Sequence, residues 1–178
     1  MQRILVAGIS GAGKSTLARA VAARLDVPCH EMDALYFGGP GWAVSATFSE
    51  DVGRIAASGT WIFDSFGAPE VRDLLWERAD TVLWLDYRRR VIMPRVLRRS
   101  LRRTLSRERI FGGNRETLAG WFRTDHPAWW AWSQHGTRRA EIHRRALDPR
   151  FAPLRVVRFG TPGEAARWLR SLGPADPS

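Results

Sequence analysis

The stretch that decides the fold lies near the N-terminus and reads Gly8-Ile9-Ser10-Gly11-Ala12-Gly13-Lys14-Ser15. It matches the pattern G-x-x-x-x-G-K-[ST] at every fixed position. The apolar run at residues 3–7 predicts a buried strand directly before it. The spacing of Leu17, Val21 and Leu25 predicts a helix over residues 14–25 directly after it. A glycine-rich loop between a strand and a helix is the context in which this pattern binds phosphate.

This Walker A loop predicts ATP (or GTP) and Mg²⁺ as cofactors. Its backbone N–H groups and the N-terminus of the following helix would surround the β-phosphate. Lys14, the only lysine in the chain, would bridge the β- and γ-phosphates, and the Ser15 hydroxyl would be a magnesium ligand. The predicted nucleotide-binding residues are Gly8, Gly11, Ala12, Gly13, Lys14, Ser15 and Thr16.

The rest of the chain alternates between strand and helix patterns. Strands are predicted over residues 27–32, 60–63, 81–85 and 154–159. Helices are predicted over 45–57, 71–78 and 128–147, and along an apolar stripe formed by Met93, Leu97, Leu101 and Leu105. The last helix is predicted to begin at Thr161, with Glu164 three residues later completing a capping box. This alternation predicts a three-layer α/β fold with a mostly parallel sheet. We expect one domain over residues 1–173 and a disordered tail over 174–178.

Composition excludes several other classes of protein. Hydrophobic residues make up 44% and charged residues 26% of the 178 residues, which is typical of a globular chain. No apolar run is long enough for a membrane span. Cys29 is the only cysteine, so no internal disulfide is possible and a cytoplasmic location is expected.

Three aspartates end predicted strands, where ligands of parallel sheets bind. A magnesium site of this type uses an acid at the end of a strand beside the loop. Asp64 and Asp86 both fit that description, and we favour Asp64, with Asp86 as a structural residue. Asp33 is predicted to face the acceptor and take its hydroxyl proton, the alternative being a helix cap. His30 and Glu31 are less favoured as site residues.

Arginines concentrate in one segment. Residues 88–115 hold eleven arginines and one acid, Glu108, which accounts for the whole net charge of +10. Arg95 and Arg99 are one helical turn apart and would neutralise a transferring phosphate, with Arg98, Arg102 and Arg103 beside them. Arg109 and Arg115 would act from a lid. One alternative is that these arginines form a solvated face, and another is that they contact the backbone of a nucleic acid. In the second case Trp121, Trp129, Trp130 and Trp132 could stack on bases, although tryptophans at helical spacing more often pack in the core.

These residues together resemble the adenylate-kinase-like P-loop group, and in particular the bacterial DNA topology modulation proteins. The pieces that carry the resemblance are GISGAGKST at 8–16, HEMDALYF at 30–37, GW at 41–42, WIFD at 61–64, ERADTVLWLD at 77–86, RVLRR at 95–99 and GNRE at 113–116.

The resemblance implies a five-stranded parallel sheet of the nucleoside-monophosphate-kinase type with a helical lid over about residues 106–127. It implies that Asp64 approaches the magnesium, that Arg95 and Arg99 serve the nucleotide, and that Arg109 and Arg115 contact phosphates. After Asp64, however, this chain has Ser65-Phe66-Gly67. The close relatives have Gly-Asn-Tyr and adenylate kinases have Gly-Phe-Pro-Arg, so the resemblance does not extend to the acceptor pocket.

The sequence therefore predicts an ATP-dependent phosphotransferase, with Lys14, Asp33, Arg95, Arg99 and Arg115 as its catalytic residues and Ser15 and Asp64 at the metal. The expected partners are a nucleotide and a small acceptor. A second nucleotide is one candidate for that acceptor. One alternative is a nucleic-acid-associated ATPase that uses residues 88–115. Another is a nucleotide-dependent switch with negligible turnover.

Overall fold

The computed structural model describes residues 1–39, 42–106, 109–110, 114–115 and 127–173, without the side chains of 109–110, 114–115 and 127–128. The helices are α1 (Lys14–Leu25), α2 (Met32–Tyr36), α3 (Phe48–Ala56), α4 (Arg72–Arg78), α5 (Arg89–Ser106), α6 (Pro127–Ala146) and α7 (Pro162–Ser171). The strands are β1 (Arg3–Gly8), β2 (Cys29–His30), β3 (Trp61–Phe63), β4 (Thr81–Leu85), β5 (Arg109–Ile110), β6 (Asn114–Arg115) and β7 (Arg155–Phe159).

Five of the strands form one parallel sheet in the order β2-β3-β1-β4-β7. The central strand β1 pairs with β3 on one side and with β4 on the other, where Gly8 lies opposite Leu85. The five-stranded parallel α/β fold predicted from the sequence is thus confirmed. The carboxyl ends of all five strands meet at one edge of the sheet, and the glycine-rich loop leaves β1 there.

Two hydrophobic cores cover the two faces of the sheet. Alternating residues of β1 divide between them: Ile4 and Val6 pack with α1, α5 and α7, while Leu5 and Ala7 pack with α3, α4 and α6. All four side chains are fully buried, as expected for a strand covered on both faces. This three-layer packing holds β1, and therefore the loop after it, in a fixed position.

The predicted apolar stripe of α5 was wrong. The residues buried along the helix are Ile92, Val96 and Ser100, whereas Leu97, Leu101 and Leu105 are 42%, 47% and 73% exposed. Steps of four advance about 40° around a helix per step, so a stripe built only from such steps turns away from the core. Pro94 lies inside α5, beyond its first turn.

Other predicted boundaries shift by a few residues. The second strand shortens from residues 27–32 to two residues, and α3 begins at Phe48 rather than near Ser45. At α7, Thr161 Oγ1 accepts a hydrogen bond from Glu164 N–H, and Glu164 Oε2 accepts one from Gly160 N–H. The predicted cap of this helix is therefore present.

The predicted lid falls largely outside the described residues. Within its expected range of 106–127, the structure describes the end residues Ser106 of α5 and Pro127 of α6, and between them only β5 and β6, which pair antiparallel with Arg109 opposite Arg115. These four residues form a short ribbon rather than a helix. Residues 107–108, 111–113 and 116–126, which include Trp121, lie outside the described residues, as does the tail at 174–178, so the lid and the tail stay predictions.

Candidate active site

The loop between β1 and α1 has the backbone conformation of a phosphate cradle. Gly11 and Gly13 have φ of 83° and 96°, a region that side chains other than glycine rarely adopt. Gly13 accepts the first hydrogen bond of α1, from Leu17 N–H at 3.0 Å. A Cβ atom at Gly11 would lie 2.3 Å from Cγ2 of Val96. The loop is therefore pressed against α5 with no space for a side chain at Gly11.

Lys14 is the first residue of α1 and turns back over the loop. Its Nζ lies 3.4 Å from the carbonyl oxygen of Ile9. Burial lowers the pKa of Lys14, while the carboxylates of Asp33 and Asp64 act in the opposite direction. The ammonium group is thus largely shielded from water, with two acids close enough to stabilise its charge.

Ser15 and Asp64 are hydrogen bonded to each other. Ser15 Oγ donates to Oδ2 of Asp64, and Met32 N–H donates to Oδ1 at 2.9 Å. Asp64 is 9% exposed and follows β3 directly. A hydroxyl and a carboxylate that meet beside the loop are the hard oxygen donors that suit Mg²⁺, with water completing its shell. The residues present therefore fit a magnesium site. Thr16 is exposed on α1.

Asp86 has a different environment from Asp64. Its carboxylate accepts hydrogen bonds from Arg139 Nε at 2.8 Å and from Arg158 Nε at 2.9 Å. The Asp86 side chain is only 4% exposed, whereas both arginines are about half exposed. Asp86 thus ties α6 and β7 to the end of β4, which supports the structural role that we expected and leaves Asp64 as the acid at Ser15.

Asp33 lies in the first turn of α2, at the same edge of the sheet. The residue as a whole is exposed, but neighbouring atoms remove enough water from its carboxyl to raise the pKa, against the lowering effect of Lys14. A carboxyl with a raised pKa close to the phosphate-loop lysine has the chemistry of a general base. Nearby, the rings of His30 and Phe63 are in tilted contact, and Glu31 pairs with Arg19.

The two arginines one turn apart on α5 both face the loop. Arg99 Nη2 donates to Ser10 Oγ at 3.0 Å. Arg95 Nη1 lies 4.0 Å from the position that a Cβ on Gly13 would take, and its guanidinium is 5.9 Å from the centre of the Tyr87 ring. Both arginines therefore approach the phosphate cradle. The side chains of Arg109 and Arg115 lie outside the described residues.

The tryptophans of α6 are not core residues, contrary to the more ordinary expectation. Trp129, Trp130 and Trp132 are 58%, 36% and 49% exposed. Two of them are covered in part by arginines: Arg138 lies over Trp130 at 5.2 Å and Arg89 over Trp132 at 4.7 Å. Their rings remain available to a ligand or partner at one end of α6.

Sequence reasoning missed a second group of residues beside the loop. Arg138, on α6, lines a small cavity with Gly8 and Ile9 and is one of the charges that lower the pKa of Lys14. It lies over the ring of Phe66, in the segment that follows Asp64. Nothing in the spacing of a chain with 28 basic residues, nearly all of them arginine, distinguishes Arg138 from its neighbours.

Two broader structural features bear on function. None of the helices in the described part of the chain is long and apolar enough to cross a membrane. Within those same residues, no three His, Cys, Asp or Glu side chains are grouped as a metal-binding cluster. A magnesium ion here would therefore depend on Ser15, Asp64, water and the bound phosphates.

Comparison with known proteins identifies the fold. No protein-family model matches the sequence, and the comparison with curated proteins found no match. Among solved structures, the chain is similar to a sugar kinase from Janibacter sp. HTCC2649, with 21% identity, a TM-score of 0.51 and 99% of each chain covered. It is also similar to a shikimate kinase from Acinetobacter baumannii in complex with shikimate, with 16% identity, a TM-score of 0.56, and 97% of this chain and 90% of that chain covered. At these identities the likeness concerns the fold, and the chain has the P-loop kinase-like α/β fold.

Proposed function

We propose that this chain is an ATP-dependent phosphotransferase that phosphorylates a hydroxyl group of a small acceptor. The observation that carries the proposal is the meeting of four functional groups around one loop: Lys14, the Ser15–Asp64 pair, Arg99 on Ser10, and Asp33. The fold shared with a sugar kinase and a shikimate kinase supports the same class of reaction. Fold alone does not fix function, so the proposal depends on the site.

The proposed reaction assigns one role to each group. Asp33 accepts the proton of the acceptor hydroxyl, whose oxygen forms a bond to the γ-phosphorus as the bond to the β-phosphate oxygen breaks. Lys14 and Arg99 stabilise charge on the phosphate oxygens during transfer. Ser15 and Asp64 would hold Mg²⁺, which would neutralise negative charge on the bound phosphates. Arg95 would contact the nucleotide, and Arg115 would contribute from the predicted lid.

The proposal so far specifies the acceptor only as a small compound with a hydroxyl group, and a nucleotide is one such compound. The test is phosphate transfer from γ-labelled ATP, with product identification, to separate additions of nucleoside monophosphates, sugars and hydroxy acids. Transfer to one small acceptor supports the proposal. ATP hydrolysis that no small acceptor stimulates contradicts it. GTP in place of ATP gives the base preference in the same assay.

A nucleic-acid-associated ATPase, as the resemblance to DNA topology modulation proteins suggests, is the second candidate. One observation favours it: Arg98 and Arg102 are exposed on α5, and Trp129 and Trp132 are exposed on α6. A backbone-binding site loses affinity steeply as salt increases. Stimulation of ATPase activity by DNA at low salt, lost at high salt, would favour this candidate, whereas tight nucleotide binding without turnover would favour a switch.

A cytoplasmic location remains a prediction from the sequence.

A further inference from the structure

Two arginines from different helices meet at one phenylalanine in the segment that follows β3. The guanidinium groups of Arg72 (α4) and Arg138 (α6) lie 4.4 Å and 4.5 Å from the centre of the Phe66 ring. Both also pair with a single acid, Glu141 on α6. Phe66 is 6% exposed. The cluster thus fixes the segment after Asp64 between two cations.

The charges in this cluster do not balance. Two guanidinium groups share one carboxylate, and the side chains of Arg72, Arg138 and Glu141 are 11%, 20% and 22% exposed. Burial lowers the pKa of both arginines. Glu141 acts against that effect on both, whereas Asp73 and Glu70 also act against it on Arg72 alone. A surplus positive charge held with little water is energetically costly unless an anion comes to it.

The surplus charge belongs to Arg138 rather than to Arg72. Arg72 donates from Nε to the carbonyl oxygen of Gly67 at 3.0 Å and from Nη1 to Glu141. Among the residues that the structure describes, Arg138 makes one hydrogen bond, from Nη1 to Glu141 at 3.4 Å, which is too long to be strong. A guanidinium that stacks on an aromatic ring keeps its in-plane N–H groups available for a carboxylate or phosphate.

Arg138 also lies close to the phosphate loop and to the segment that follows β3. It lines a cavity with Gly8 and Ile9, and its charge acts on Lys14. Through Phe66 it contacts the segment that follows Asp64, at the same edge of the sheet as Asp33. The nucleotide-facing arginines Arg95 and Arg99 come from α5 instead.

We propose that Arg138 binds an anionic group of the acceptor, so that the acceptor is a hydroxyl compound carrying a carboxylate or a phosphate. The inference rests on the proposed phosphotransferase function and narrows its substrate class. It excludes neutral sugars and polyols as the preferred acceptors. Arg72 positions Phe66 and Gly67, and Glu141 orients both arginines.

The test compares pairs of acceptors that differ in the anionic group. The pairs are gluconate and glucitol, shikimate and its methyl ester, and AMP and adenosine, each assayed by transfer of labelled phosphate from ATP. The charged member of at least one pair should have the higher kcat/KM. Transfer to gluconate or shikimate identifies a carboxylate, and transfer to AMP identifies a phosphate.

Variants then assign the preference to Arg138. Arg138→Gln should lower kcat/KM for the charged acceptor by about 10- to 100-fold, the usual effect of losing a charge-assisted hydrogen bond. The KM for ATP should not change, and Arg138→Lys should recover part of the loss. Glu141 keeps Arg72 as a partner in these variants, so folding should be preserved. Arg144→Gln, which removes one charge from an exposed position on the same helix, is the control.

Each failure has a separate meaning. Efficient transfer to a neutral member, or an equal loss for both members in Arg138→Gln, overturns the inference and leaves the phosphotransferase proposal standing. A raised KM for ATP in Arg138→Gln would also overturn it, since Arg138 would then serve the nucleotide. If none of the six compounds is phosphorylated and none stimulates ATP turnover, the phosphotransferase proposal fails and the inference fails with it.

Discussion

The hydroxyl of Ser15 donates a hydrogen bond to Oδ2 of Asp64, which joins the first turn of α1 to the end of β3. The second carboxylate oxygen of Asp64 is occupied by Met32 N–H at 2.9 Å. One oxygen of Asp64 thus holds the backbone at the start of α2, and the other faces the phosphate loop. The same side chain therefore connects the proposed magnesium site with the helix that carries Asp33.

Replacing Asp64 should change magnesium dependence without unfolding the protein. In Asp64→Asn the side-chain oxygen can still accept from Met32 N–H, but the negative charge beside Ser15 is lost. We expect the Mg²⁺ concentration for half-maximal activity to rise by about 10-fold or more. Titration of activity with MgCl₂ at fixed ATP measures this shift.

Asp86→Asn is the matched control, because Asp86 also ends a strand and is also buried. It should lower the free energy of unfolding by about 1–3 kcal/mol, since Arg139 and Arg158 lose an ionised partner, and it should leave the Mg²⁺ titration unchanged. A larger shift in Mg²⁺ dependence for Asp86→Asn than for Asp64→Asn would mean that the two acids have been assigned the wrong way round.

Asp33 should show opposite effects on activity and stability. Its pKa is raised in the folded protein, so the folded state favours the protonated form and ionisation costs stability. Asp33→Asn should therefore be more stable than wild type at pH 7, and this difference should disappear below the ordinary carboxyl pKa of 3.8. Its kcat should fall by about 10²-fold or more through loss of the base.

Wild-type kcat should decrease toward low pH through a pKa above 3.8, and thermal unfolding at several pH values gives the stability difference. Glu31→Gln, which alters the neighbouring exposed pair with Arg19, should retain activity. If Asp33→Asn keeps wild-type kcat, Asp33 is not the base.

Arg99 should be needed for catalysis, whereas the adjacent Arg98 should not. Arg99 bonds Ser10 in the loop, and Arg98 is exposed on α5. Arg99→Gln should lower kcat by about 10²- to 10³-fold because a charge on the transferring phosphate is lost, and Arg99→Lys should recover part of it. Steady-state assays with Arg98→Gln as the control measure the difference. Equal losses in the two glutamine variants would point to net charge rather than position.

Two Gly→Ala substitutions compare a tightly packed position in the phosphate loop with an open position on a helix. Gly11→Ala would bring a Cβ to 2.3 Å from Val96 in a backbone with φ of 83°, so it should destabilise the protein by about 1–3 kcal/mol and weaken ATP binding. Among the described residues, nothing beyond the backbone of α3 itself lies within 4 Å of the position that a Cβ on Gly53 would take. Gly53→Ala should therefore stabilise by about 0.5–1 kcal/mol. Chemical denaturation and nucleotide titration measure both. Similar effects at the two positions would contradict the close contact between loop and α5.

The features that the sequence predicted well are those set by local pattern. The G-x-x-x-x-G-K-[ST] stretch, the bounds of α1 and β4, and the cap at Thr161 each depend on residues next to one another in the chain. The two strand-end acids were also found, but the contacts that distinguish them, Ser15 at Asp64 and Arg139 and Arg158 at Asp86, appear only in the structure. Those contacts join residues that are far apart in sequence.

What the sequence did not predict depends on tertiary packing. The leucines of α5 have helical spacing, yet Val96 and Ile92 are buried instead, because they pack into the core with β1 and α1 and lie against Gly11. The cluster of Arg72, Phe66 and Arg138 brings together three segments of the chain. In a sequence with so many arginines, Arg138 cannot be distinguished from those that are solvated. Residues 65–67 differ from the pattern of the resembling proteins, and this difference did indicate that the resemblance does not extend to the acceptor pocket.

The central claim is transfer of the γ-phosphate to a small acceptor at the loop that contains Lys14. The most direct measurement is ATP consumption and product formation by wild type and Lys14→Ala, with small hydroxyl acceptors and with DNA as separate additions. We predict that one small anionic acceptor stimulates the wild-type rate, that the phosphorylated acceptor accumulates in equal amount to ADP, and that Lys14→Ala shows neither effect. Stimulation by DNA alone, or equal turnover in wild type and Lys14→Ala, would contradict the account.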